Sequence, residues 1–284
     1  SLAIKREIGD RGGEAASLNN LGNIAETRGD LVEAERLYRE CMAIKREIGD
    51  REGEAMSLNN LGNIALARDD LAEAERLYRE SLAIEREIGD RGGEADSLNN
   101  LGNIAINRGD LAEAERLHRE SLAIKREIGD RGGEAASLAN LGRIAGARDD
   151  LAEAERLYRE SLAIEREIGD RGGEADSLNN LGNIAINRGD LAEAERLHRE
   201  SLAIKREIGD RGGEAASLNN LGNIAETRGD LVEAERLYRE CMAIKREIGD
   251  REGEAMSLNN LGNIALARDD LAEAERLYRE SLAI

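Results

Sequence analysis

An asparagine side chain carries a hydrogen-bond donor and an acceptor, so one Asn can pair with both the N–H and the C=O of a single peptide unit. This chain places such a side chain at a fixed interval. Asn20, Asn60, Asn100, Asn140, Asn180, Asn220 and Asn260 follow one another every forty residues. A ladder of this kind can hold an extended chain without reading its sequence. Its neighbours would then supply specificity: Asn19, Asn23, Asn59, Asn63, Asn99, Asn103, Asn107, Asn179, Asn183, Asn187, Asn219, Asn223, Asn259 and Asn263, together with Asp96, Asp176 and Arg143. A second use of the amides stays open. They can bond across adjacent repeats and merely stiffen the array.

Other chemistry has little behind it. No G-x-x-x-x-G-K-[ST] occurs, so no phosphate-cradling loop is expected. His118 and His198 are the only histidines, and each stands where the other blocks carry Tyr38 or its equivalent. A packed histidine suits that position better than a metal ligand or base. Ser17 has no histidine near it in sequence. Glu33, Glu35, Arg36, Arg39 and Glu40 alternate in sign at helical spacing, as solvated ion pairs do. The expectation is a chain that is not an enzyme, with no catalytic residue, no metal and no cofactor.

The elements that carry the Asn ladder are written in the period itself. Residues 1–40 read SLAIKREIGDRGGEAASLNNLGNIAETRGDLVEAERLYRE, and that text recurs seven times with small changes. Residues 1–84 are identical to 201–284, and 81–120 to 161–200, so only four distinct blocks exist. A period of this length marks a solenoid, in which each unit buries its apolar face against its neighbours. The blocks run 1–40, 41–80, 81–120, 121–160, 161–200, 201–240 and 241–280, with 281–284 opening another. The unbroken period argues for a single domain over 1–284. The chain lacks an initiator Met and starts and stops inside a repeat, as an excerpt of a longer array would.

Each block reads as two helices. The first spans about Arg11 to Arg28, capped by Asp10 and stopped by Gly29. The second spans Leu31 to Ile48, capped by Asp30 with Glu33 completing a capping box, and stopped by Gly49. Asp69, Asp149 and Asp269 replace the stop glycine in three blocks. At 100° per residue, Leu18, Leu21, Gly22 and Ala25 share one face of the first helix. Leu18, Leu21, Leu37, Tyr38 and their equivalents are expected to be buried. Gly22 recurs mid-helix in every block at ~1 kcal/mol each against Ala. Close approach of a neighbouring helix backbone would offset that cost.

In the first helix only six columns vary: Gly12/Glu52, Ala16/Met56/Asp96, Asn19/Ala139, Asn23/Arg143, Glu26/Leu66/Ile106/Gly146 and Thr27/Ala67/Asn107. All lie within an arc opposite the Leu18–Ala25 face. Drift on an exposed surface would also produce this. Against drift, Glu14, Ser17 and Arg28 read as exposed and never change.

Composition narrows the partners. The net charge is −19 with 36% charged residues, a field that repels nucleic acid and anionic membrane surfaces alike. No apolar run approaches the ~18 residues of a membrane span. Cys41 and Cys241 replace Ser at one packing position, which fits a reducing, cytoplasmic setting.

Leu21-Gly22, Gly29, Ala34, Tyr38 and Cys41, a pattern that recurs along the whole chain with Asp, His or Ser at single positions in some blocks, resemble the tetratricopeptide repeat. The usual early aromatic is Leu18 here, the second is Ala25, and the closing proline is absent. The unit is longer than the standard one, as in kinesin light chains and the arrays attached to bacterial signalling NTPases, which share Leu-Asn-Asn-Leu at Leu18–Leu21. The resemblance implies an all-α, right-handed solenoid of antiparallel helix pairs. It also implies that the variable arc lines a concave groove and that the Asn column contacts peptides, as in kinesin light chains. The function expected is a protein-interaction scaffold binding an extended peptide or helix of a partner protein, as part of a larger protein. The alternative is a structural array whose uncapped ends stack head to tail.

Overall fold

The computed structural model describes residues 2–284; Ser1, the first residue of the first block, lies outside them. Among the described residues there are fifteen helices and no strand. The chain forms a repeat solenoid of helix pairs, divided into two compact units whose boundary in the sequence falls after Ile144. The first unit holds α1 (Leu2–Glu7), α2 (Arg11–Thr27), α3 (Leu31–Ile48), α4 (Arg51–Ala67), α5 (Leu71–Ile88), α6 (Arg91–Asn107), α7 (Leu111–Ile128) and most of α8 (Arg131–Ala147). The second holds α9 (Leu151–Ile168), α10 (Arg171–Asn187), α11 (Leu191–Ile208), α12 (Arg211–Thr227), α13 (Leu231–Glu247), α14 (Arg251–Ala267) and α15 (Leu271–Leu282).

The caps follow from residue type. Asp10 accepts the Gly13 N–H at 2.9 Å, and Asp30 accepts that of Glu33 at 3.1 Å. Each carboxylate satisfies a donor that the first turn would leave unpaired. Gly29 and Gly49 sit at φ +76° and +74°, where only glycine is unstrained. Asp69, Asp149 and Asp269 adopt φ between 62° and 63° at the same site. The reciprocal half of the capping box is not made. The Asp30 N–H already bonds Ala25 O at 2.9 Å, so Glu33 turns to Arg36 instead.

Packing follows the apolar stripes. Leu18, Leu37 and Tyr38 are buried, as are their counterparts in the following blocks of the first unit. In the second unit Leu218, Leu221, Ala234, Leu237, Tyr238, Leu258, Leu261 and Ile264 form one continuous cluster. Each fully buried Leu contributes roughly 1.5–3 kcal/mol. Leu21 departs from expectation: it is 41% exposed and Ile24 47%, whereas Leu61 and Ile64 are 4% and 1%. The first block has only the short α1 before it, so this face is left partly uncovered.

The recurring mid-helix glycine faces a ring rather than a backbone. A Cβ on Gly22 would lie 2.5 Å from Cε1 of Tyr38, and one on Gly102 would lie 2.7 Å from Nε2 of His118. The glycine column therefore makes room for the aromatic column of the paired helix.

Candidate functional site

The first helices carry the candidate residues on accessible surface. Asn23, Asn63, Asn183, Asn223 and Asn263 are exposed, as are Asn107, Asn187, Asp96, Asp176 and Arg143. Asn103, Asn19, Asn60 and Asn100 hold intermediate or greater exposure, and none of the six variable columns contains a buried residue. Two of the three fixed positions that read as exposed are not. Glu14 and its equivalents Glu54, Glu94, Glu134, Glu174, Glu214 and Glu254 are buried, and so are Ser57, Ser97, Ser137, Ser177, Ser217 and Ser257. Their invariance reflects packing. Arg6 reaches Glu14 at 2.7 Å and Arg11 reaches it at 2.6 Å. At Glu134, burial pushes the carboxyl up, but hydrogen bonds from Arg126 and Arg131 outweigh it and leave it below its ordinary value.

The Asn columns bond to one another between blocks. Nδ2 of Asn60 donates to Oδ1 of Asn19 at 3.2 Å, and Asn140 to Asn99 at 3.1 Å. In the second unit Asn220 donates to Asn179 at 3.0 Å and Asn260 to Asn219 at 3.1 Å. Each bond uses one of the two N–H groups of the donor amide. Asn100 stands apart because Asn59 has turned away from it. Asn59 donates to Glu85 Oε1 at 2.9 Å and accepts from Ser97 at 3.2 Å. The Asn23 column is tied to the aromatic below it: the hydroxyl of Tyr38 donates to Asn23 at 2.7 Å, that of Tyr78 to Asn63 at 2.6 Å, and that of Tyr238 to Asn223 at 2.7 Å. Arg143 donates to Asn103 and Asn140, each at 3.3 Å.

Two polar groups lie beneath this face without full satisfaction. His118 and His198 are fully buried, and neither ring nitrogen has a hydrogen-bond partner. Burial lowers both to about 4, with the Arg143 charge adding to the effect on His118. Glu85 and Glu165 are buried at a position that is lysine in the other blocks, and Oε2 of each is unpartnered. Burial raises both carboxyls. Sequence reasoning passed over this column. Its signal was a charge reversal, Lys45 to Glu85, the one change of sign in the second helix.

A different surface carries clefts at equivalent positions of the blocks, of about 640 Å3 in the first unit and about 640 and 660 Å3 in the second. In the first unit Leu82, Leu101 and Ile104 floor it. Its charged walls are already paired, Arg108 with Glu75 and Arg86 with Glu120. Among the described residues no group of three or more His, Cys, Asp or Glu could hold a metal ion. No helix among them is long and apolar enough to cross a membrane.

The family model of the tetratricopeptide repeat matches residues 13–87, 93–167, 173–247 and 214–284. No curated protein matches the chain. Among solved structures, it is similar to a signal transduction ATPase with numerous domains and a tetratricopeptide repeat sensor from Pyrococcus horikoshii. Identity there is 16% and the TM-score 0.80, over 99% of this chain and 43% of that one. It is similar to nearly identical TPR-like repeats of a putative kinesin light chain from Podosopora anserina, at 21% identity and TM-score 0.56 over 68% of this chain and 95% of that one. A Rap protein complexed with competence and sporulation factor matches at 16% identity and TM-score 0.63, covering 90% of this chain and 75% of that one. At these identities the likeness is one of fold.

Proposed function

The chain belongs to the tetratricopeptide repeat family, and from that premise we propose that it is a protein-interaction scaffold whose first helices hold an extended peptide or helix of a partner protein. One observation carries the reading. The six columns in which the first helices differ are all accessible, while the invariant Glu14 and Ser57 columns are buried. Variation within the first helix is thus concentrated where a ligand would lie. The bonds between Asn columns are compatible with that role. Asn60 spends one N–H on Asn19, leaving a second N–H and its carbonyl oxygen for a peptide unit. The cross-block bond fixes the amide plane before a ligand arrives, which lowers the ordering cost of binding. Stiffening and binding are then two uses of one amide. The Rap protein crystallised with competence and sporulation factor is a fold relative with a bound partner. The candidate contacts are the Asn20 column, with Asn23, Asp96, Arg143 and their equivalents for selectivity.

The test replaces Asn100, Asn140 and Asn180 together by Ala. A peptide selected from a library on the parental chain should bind the variant at least tenfold more weakly, ~1.4 kcal/mol, with helical circular dichroism unchanged. Equal affinity would leave the Asn column with the stiffening role alone.

Self-association of copies is the second reading we propose. Leu21 and Ile24 in the first unit, and Leu266 and Leu271 in the second, are 41% to 61% exposed. The two surfaces differ, so their contact would be heterologous.

A further inference from the structure

All five lysines of the chain, Lys5, Lys45, Lys125, Lys205 and Lys245, occupy the fifth position of a block, and the remaining 36 of the 41 basic residues are arginine. Blocks 81–120 and 161–200 carry Glu85 and Glu165 there instead, and only those blocks carry aspartate, Asp96 and Asp176, at the sixteenth position. The two positions meet across the boundary between blocks. Lys125 on α7 places Nζ 2.6 Å from Asp96 on α6 and 2.8 Å from Asp130, the residue preceding α8. Lys205 repeats this with Asp176 at 2.6 Å and Asp210 at 2.8 Å. Each of these lysine side chains is 8% exposed. Where the preceding block has no aspartate, the slot is looser. Lys245 has only Asp250 at 2.6 Å and is 20% exposed. The glutamate version of the slot has one carboxylate near it, Asp90 beside Glu85, and no charge from the sixteenth position of the preceding block. Glu85 is held by Asn59 and Ser81 at 2.9 Å, and the preceding block offers Met56 at its sixteenth position.

We propose that these two positions form a matching rule between neighbouring blocks: a block with aspartate at position sixteen accepts as its successor a block with lysine at position five, and rejects one with glutamate. The surface concerned is the trailing face of blocks 81–120 and 161–200, and its partner is a lysine-bearing block of this same chain. The physical reason is a slot in which the fifth-position side chain is nearly covered while the aspartate that meets it is 63% exposed. A successor lysine is enclosed by two carboxylates, Asp96 and Asp130. A successor glutamate, covered as Glu85 is, would face both of them, and like charges at that distance disfavour the pairing. Blocks 81–120 and 161–200 carry both acids, so neither can follow the other. In the sequence a lysine block, 121–160 or 201–240, follows each of them, and both glutamate blocks follow an uncharged residue, Met56 or Ala136. In an array whose blocks are otherwise nearly interchangeable, this contact specifies order and register. The rule does not depend on the identity of a bound peptide, although it shares Asp96 and Asp176 with the accessible face.

The test is a sign reversal in the 284-residue chain, read by urea unfolding followed by circular dichroism. With Lys125 present, Asp96→Met should destabilise. In the Lys125→Glu background the same change should stabilise, raising the folded-to-unfolded ratio at least tenfold over K125E alone, because it recreates the Met56–Glu85 arrangement. If K125E fails to fold, recovery of helical signal in the D96M K125E double variant supports the rule. Asp96→Met acting in the same direction in both backgrounds, or giving no recovery, overturns it.

Discussion

A histidine in a slot that holds tyrosine elsewhere is the sharpest residue-scale feature of the chain. Tyr38 sends its hydroxyl past the glycine column to Asn23 and to Glu26, both at 2.7 Å. His118 fills the same slot but bonds nothing. In the folded state it takes a proton only near pH 4, against an ordinary value of 6.5. Its folded value is depressed, so the unfolded chain binds the proton first. Stability is retained above pH 6.5 and is lost as pH falls from 6.5 to 4, by at most about 3 kcal/mol per histidine. The difference between the parental chain and the H118Y H198Y variant isolates this from the carboxylates. The variant should lose less stability between pH 7 and pH 4 in urea unfolding. Parallel losses would mean that neither imidazole is buried neutral. Glu85 has the opposite sign. Burial raises its carboxyl, so that contribution improves as pH falls through the range above the ordinary value. The sequence identified the aromatic column, and hence that His118 would be packed. It did not reveal the missing partner, because that depends on the reach of a hydroxyl that imidazole lacks.

At the scale of the element, glycine and aromatic act as a pair. Gly62 presses on Tyr78, with a built Cβ only 2.5 Å from its ring. Gly62→Leu should cost more than ~2 kcal/mol through overpacking, despite the ~1 kcal/mol that leaving glycine returns to the helix. In a Tyr78→Ala background the ring is gone and the same change should become stabilising, as denaturant unfolding of the four variants would reveal. A constant cost in both backgrounds would break the pairing. Helix limits were legible to within a residue, because Asp10, Asp30, Gly29 and Gly49 announce caps and stops by chemistry that needs no tertiary context. The glycine's neighbour was not, since a helical wheel says which face packs but not which atom arrives there. Glu14 misled for a related reason. A carboxylate suggests water until the arginines that enclose it, Arg6 from the preceding helix and Arg11 from its own, are brought alongside. The Asn23 column is mostly exposed and the Asn19 and Asn20 columns mostly half-buried, and the hydrogen bond from Asn60 to Asn19 joins residues 41 positions apart and needed the stacked fold to appear.

Across the whole molecule, charge and exposed apolar surface pull in opposite directions. Sixty acids against 41 basic residues leave a net charge of −19, which keeps copies apart at low ionic strength. Leu21 and Ile24 favour contact, since their equivalents Leu61 and Ile64 are almost completely covered, and Leu271 is 61% exposed where Leu71 is half-buried. Salt separates the two effects. Screening shortens the range of repulsion to about 8 Å at 0.15 M and about 3 Å at 1 M, while apolar burial persists or strengthens. Static light scattering should therefore report a mass that rises with both salt and protein concentration. The L21E I24E variant places new charge on one of the two surfaces and should remain monomeric throughout, at unchanged helicity. A parental chain that stays monomeric at high salt and high concentration would remove self-association and leave the interaction scaffold alone. A variant that still associates would move the contact away from these residues to some other face of the repeats.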